Sequence, residues 1–155
     1  VALPNDHDEI PMEPDKRLEL VDKIDKVAPP ATGHALEDIV IDPLAMPIGD
    51  DPQVGRSFFQ TVSVIRERWG INTTCGAGNN SFGMPGRDDL GASFLPMAIA
   101  SGLTSAIMDA RSPRMVRAVK GADVVMGNDE WGMAWISDHR AKLAAEKAAE
   151  EAATA

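Results

Sequence analysis

The strongest constraint on this chain is an alternation, met four times, of a short apolar segment and a helical one. Residues 1–3 are apolar, and an acidic loop at residues 5–9 follows them. A helix is predicted from Pro14, where proline suits a first turn, with Leu20, Ile24 and Val27 on one face. The Pro29-Pro30 pair is expected to end it, because proline disfavours helical geometry in the residue before it. Residues 38–41 read as a β-branched strand stopped by Asp42-Pro43. A second helix is expected over residues 52–69, where Val54, Phe58, Val62, Ile65 and Trp69 recur at helical spacing and Gly70 caps the end. Residues 71–75 form the next expected strand, and a glycine-rich loop at residues 76–87 follows. A third helix is predicted over residues 90–101 with Gly102 at its C-terminus, then a strand over residues 104–108. Ser112-Pro113 has the form of an N-cap and first residue for a fourth helix, which Gly127 ends.

Four βα units in succession imply an α/β fold with a parallel sheet under helical cover. A closed barrel of this type takes eight units and about 250 residues. The chain has 155 residues and four units, and it opens Val1-Ala2-Leu3-Pro4 without a methionine. The expectation is therefore half a barrel over residues 1–136, with the sequence as part of something longer. Residues 137–155 are rich in Ala, Glu and Lys, with Leu143 their one large apolar residue. That tail is expected to be helical by propensity and solvated, since it has no stripe to bury.

Composition narrows the partners. A net charge of −9 argues against nucleic acid, whose phosphates it would repel. No apolar run approaches the roughly 18 residues of a membrane span, and the start lacks a basic-then-apolar signal pattern, so no membrane association is expected. The single cysteine, Cys75, excludes an internal disulfide and suggests a reducing, cytoplasmic setting.

In parallel α/β folds the reactive side chains gather at the C-terminal ends of strands. Here those ends carry Asn5-Asp6, Asp42-Pro43-Leu44, Gly76 through Ser81, and Asp109. The loop at residues 75–87 is the richest of them. Its glycines permit close backbone approach to a planar or anionic ligand. Asn79, Asn80 and Ser81 donate and accept hydrogen bonds, and Arg87 adds a cationic fork. The plain alternative is a tight βα turn with a solvated arginine. The loop matches neither the phosphate-loop nor the dinucleotide glycine pattern. His7, His34 and His139 lack metal-ligand spacing and are expected at the surface. Cys75 reads as a small buried residue, and Met97, Met108 and Met126 as core.

Four segments carry a family resemblance. Ile41-Asp42-Pro43-Leu44-Ala45-Met46-Pro47 and Gly76-Ala77-Gly78-Asn79-Asn80-Ser81-Phe82-Gly83 resemble the pterin-site segments of methyltetrahydrofolate:corrinoid methyltransferases. So do Phe94-Leu95-Pro96-Met97-Ala98 and Gly102-Leu103-Thr104-Ser105-Ala106-Ile107-Met108. The resemblance runs from Val1 to about Ile136, in order. It implies strands 5–8 of the pterin-binding (β/α)8 barrel shared with dihydropteroate synthase, and a place in one-carbon metabolism.

The resemblance also implies roles. Asp42 would accept hydrogen bonds from pterin N–H groups, and Asn79 would contact N5, which carries the methyl group. Arg87 would lie near the pterin or the folate tail, with Asn5 and Ser81 as further binding residues. The implied reaction moves the N5-methyl of methyltetrahydrofolate to a cobalt(I) corrinoid (cobalamin) carried by a partner protein, and the full-length parent is expected to be a homodimer. The pattern departs from the family at Gly78, where serine is usual, and at Asn80, where a small apolar residue is usual. Two other readings stand beside this one. Dihydropteroate synthase-type condensation is disfavoured, because Pro43 is followed by Leu44 rather than glycine and no lysine lies between Lys26 and Lys120. A non-catalytic pterin-binding barrel fragment shares the same fold.

Overall fold

The computed structural model describes residues 1–6 and 10–154; His7 and part of the expected acidic loop lie outside the described residues. The chain is rich in helix, with a small parallel sheet at its centre. Helix α1 spans Pro14–Thr32, followed by a 3-10 turn at Leu36–Asp38 and strand β1 at Val40–Ile41. Helix α2 spans Val54–Trp69, strand β2 Asn72–Thr73, and helix α3 Arg87–Ala100. Helix α4 spans Pro113–Val125, and after a 3-10 turn at Glu130–Gly132 helix α5 runs over Met133–Thr154.

Strands β1 and β2 pair in parallel, Val40 against Asn72 and Ile41 against Thr73. Isolated parallel bridges extend the ladder on both sides, Ala2 to Ile41 and Gly76 to Ile107. Asp42 donates its N–H to the Ala2 carbonyl at 2.9 Å, Thr74 to Ile41 at 2.8 Å, and Ile107 to Cys75 at 2.8 Å. Four extended segments thus lie side by side in chain order, although only the middle two are regular strands. The ladder is shorter than the sequence predicts, because residues 36–38 coil into a 3-10 turn and the outer two segments bond on one side.

The helices cover this ladder through apolar faces. Helix α2 buries Val54, Phe58, Val62 and Ile65, as its spacing predicts, and Gly70 caps it in the left-handed region at φ 66°. Phe58 and Phe94 meet at a centroid separation of 5.2 Å inside a cluster with Val62, Cys75, Ala98 and Leu103. Burying a phenylalanine, valine or leucine side chain of this kind contributes about 1.5–3 kcal/mol. A second cluster joins Val21, Ile39, Ile41, Ile65 and Ile71, and a third joins Ala77, Leu95 and Met115. Ser112 caps α4 as expected, accepting the Met115 amide and donating its hydroxyl to Asp88 Oδ2 at 2.7 Å.

Several expectations are corrected. Helix α1 passes through Pro29 and Pro30 and ends at Gly33, whose φ is 73° and whose N–H bonds the Pro29 carbonyl. Proline's fixed φ is helical, so the pair removes only two late donors and leaves the last turn intact. The buried face of α1 holds Arg17 and Val21, with Leu18, Ile24 and Ala28 packed beside them; Val27 is exposed. Met97 and Met126 are about half exposed rather than core. Met126 borders a cavity of about 820 Å³ with Ile99, Leu103, Ala106 and Val119, beside the outer segment at residues 105–107, and Arg66, Asp123 and Asn128 also line it. Met108 does pack on the third cluster, Cys75 is buried, and His34 and His139 are exposed. The tail is helical and exposed, as propensity suggests, although its helix begins at Met133. Among the described residues no helix is long and apolar enough to cross a membrane.

Candidate functional site

Parallel pairing brings the C-terminal ends of all four segments to one edge of the ladder. The β1 end carries Asp42. Its Oδ1 accepts the Leu44 amide at 2.9 Å, closing a tight turn over Pro43. Leu44 has φ 64°, one of two non-glycine residues among those described in the left-handed region. The turn is held from behind by Arg17 of α1, which is 2% exposed. Arg17 donates Nε to the Pro11 carbonyl at 2.7 Å, and Nη1 to the carbonyls of Pro43 at 2.7 Å and Leu44 at 3.0 Å. Burial raises the Asp42 carboxyl above its ordinary value, while the Leu44 amide and the Arg17 charge pull in the opposite direction. Cys75, on the adjacent segment, is pushed up to about 12 by burial, with the Asp42 charge adding to it. Burial thus keeps the thiol protonated and a poor nucleophile at neutral pH.

The glycine-rich loop after β2 folds into successive turns, with Asn79 N–H on the Gly76 carbonyl and Phe82 N–H on the Asn79 carbonyl, both at 3.0 Å. The Asn79 side chain lies back over Gly76, and a Cβ there would stand 2.9 Å from Asn79 Nδ2. Glycine is therefore required at 76 for Asn79 to hold this place. Gly78 presents its carbonyl to Arg87 Nη2 at 2.9 Å and to the Ser81 hydroxyl at 3.3 Å. The Arg87 guanidinium also stands over the Phe82 ring, 5.6 Å from its centroid. Arg87 is the first residue of α3, three residues earlier than the predicted start.

A cavity of about 230 Å³ opens between this loop and the fourth segment, bordered by Gly78, Ser81, Arg87, Asp88, Asp109 and Met115. Asp109 is fixed by its neighbour Arg111, whose Nε and Nη2 reach its two oxygens at 3.0 and 3.1 Å. Those side-chain bonds hold the Asp109 carboxyl below its ordinary value. Among the predicted site residues the structure thus groups Ser81 and Arg87, with Asp109 beside them. Asp42 and Asn79 stand at the ends of neighbouring segments. Asn5 is set apart, in a surface groove with Leu3 and residues Leu20, Ile24 and Val27. Asn80 is buried, its side chain against Gly55 and its carbonyl accepting the Ile48 N–H at 3.0 Å, which places it in the support of the loop.

Arg17 is the residue that the sequence reading missed. Its one signal is position: it falls on the helical face of Val21 and Ile24, where a charged residue is out of pattern. Among the described residues no group of three or more His, Cys, Asp or Glu side chains is arranged to hold a metal ion. The edge offers a half-buried carboxylate, an amide, a hydroxyl and a cation, a set suited to a polar planar ring with N–H and carbonyl groups.

No family model matches the chain. The chain is similar to the methylcorrinoid:tetrahydrofolate methyltransferase of Eubacterium limosum, with 32% identity over 132 residues. The match takes in 83% of this chain and 48% of that protein, so the chain spans about half the length of the curated relative it matches. This similarity supports kinship with a methyltransferase at a distant level.

Proposed function

We propose that this chain forms one side of a pterin site in an enzyme that moves a methyl group between N5 of tetrahydrofolate and the cobalt of a corrinoid carried by a partner protein. The observation that carries the reading is the similarity to the Eubacterium relative, whose name joins a methylcorrinoid, tetrahydrofolate and methyl transfer. The placement of Asp42 and Asn79 at adjacent strand ends supports it. In this reading residues 1–136 are four of the eight βα units of a barrel, with residues 137–155 appended as a helical tail. The open cavity beside residues 105–107 is the face that further units would cover. The assembled barrel is proposed to be a homodimer.

The roles follow from chemistry. Asp42, acceptor-only when ionised, takes N–H donors of the pterin ring. Asn79 turns its side-chain oxygen to N5 and stabilises the positive charge that N5 carries when it is both methylated and protonated. When methyltetrahydrofolate is the donor, N5 first takes a proton from solvent; the N5–methyl bond then breaks with its electron pair left on nitrogen, giving neutral N5–H, and cobalt(I) supplies the pair for the new bond. The relative's name puts the methylcorrinoid first, the reverse of the direction that the sequence resemblance suggests. Both directions share one transition state, so the same groups serve either. Arg87 and Ser81 border the cavity where the folate's remaining polar groups are proposed to lie, and Asn5 plays at most an outer part.

Calorimetric titration of methyltetrahydrofolate into the complete product of the gene tests the reading. Binding that weakens about tenfold or more in Asp42→Asn is the expected result. Equal affinity in the variant would remove Asp42 from the site, and no binding by the wild type would overturn the proposal.

A further inference from the structure

Arg17 is the largest fully buried side chain among the described residues, and a cation is the least expected group for such a place. Packing alone gives no reason for the charge, because a leucine or methionine would fill the α1 stripe at lower desolvation cost. Its partners give one. Two of its three carbonyl acceptors belong to Pro43 and Leu44, the residues directly after Asp42. Leu44 lies in the left-handed region, a conformation that persists in a non-glycine residue only where its surroundings impose it. The same Leu44 donates its amide to Asp42 Oδ1. The guanidinium, the Leu44 backbone and the Asp42 carboxylate are thus linked in series. The third acceptor, Pro11, ties the chain ahead of α1 to the same cation. Burial makes Arg17 less basic than an ordinary guanidinium; the charge of Asp42, and then that of Glu13, oppose this.

We infer that Arg17 is a positioning residue: its buried guanidinium clamps the Pro43–Leu44 turn and so fixes the direction in which the Asp42 carboxylate faces a ligand. The link to a pterin ligand rests on the proposed function; the clamp itself does not. Arg17 touches no substrate in this arrangement and acts through Asp42.

The test uses the complete protein, the variants Arg17→Lys and Asp42→Asn, and their double variant. Without ligand, amide exchange at Leu44 should speed up about tenfold in Arg17→Lys, while the Phe58 and Val62 amides of α2 keep wild-type protection. Methyltetrahydrofolate affinity should fall about tenfold in Arg17→Lys, and the double variant should bind like Asp42→Asn alone. Unchanged exchange at Leu44, exchange rising uniformly through the core, or additive losses of affinity would each overturn the positioning role. Wild-type protein that binds no folate would overturn the folate reading and leave the Leu44 exchange to decide on Arg17. If Arg17→Lys does not fold, the Arg17 Nε–H resonance decides. Methyltetrahydrofolate should shift it in the wild type and not in Asp42→Asn, and equal shifts in both would refute the series.

Discussion

The Leu44 amide donates to the Asp42 carboxylate at 2.9 Å while Leu44 itself holds a φ of 64°. The turn that orients the candidate acceptor is therefore built in a conformation that suits glycine. A left-handed residue with a side chain carries strain of about 1–3 kcal/mol. Leu44→Gly is expected to be more stable than Leu44→Ala by about 1 kcal/mol, the reverse of the usual order. Urea denaturation of the two variants measures the difference, and a more stable alanine variant would show that the turn is unstrained.

Asp42 has a folded-state carboxyl raised above the ordinary 3.8, chiefly by burial. The folded protein then holds this proton more tightly than the unfolded chain. Its contribution favours folding at low pH and is lost as pH rises through the raised folded value. Asp42→Asn keeps an acceptor for the Leu44 amide and removes the titration. The variant should match wild-type stability at acid pH and exceed it at neutral pH, while losing ligand affinity. Melting temperatures of the pair across pH check this, and a constant difference would contradict it.

Gly76 and Asn79 are paired by contact rather than by sequence motif. Gly76→Ala would set a Cβ 2.9 Å from Asn79 Nδ2, at the exposed end of a side chain that can swing aside. The variant should stay within about 1 kcal/mol of wild-type stability. Its methyltetrahydrofolate affinity should fall about tenfold as the amide is displaced. Unchanged affinity would mean that the observed place of Asn79 is irrelevant to binding.

Much of the architecture was legible because local signals were strong. Ser112-Pro113 fixes the start of α4, Gly70 the end of α2, and the spacing from Val54 to Ile65 its buried face. The Pro29-Pro30 pair misled, since a proline in a last turn costs donors but not helical φ. Met97 and Met126 misled because hydrophobicity reports a preference for burial, not the presence of a covering element. At the candidate site, Asp42, Asn79 and Arg87 are legible as candidates from the polar strand ends and the glycine-rich loop. Arg17 and the strained Leu44 could not, because both depend on contacts between residues about 26 positions apart. The sequence shows that Asn80 can donate and accept hydrogen bonds but not that it is buried, which depends on the loop packing against Gly55.

Methyl transfer with Asn79 at N5 can be measured directly. The direct measurement is the optical change of cob(I)alamin on methylation by methyltetrahydrofolate, and its reversal, catalysed by the complete protein and by Asn79→Ala. Turnover in both directions is expected for the wild type, lowered by about 100-fold in both for the variant. Wild-type protein that catalyses neither direction, or an Asn79→Ala variant at full rate, would contradict it.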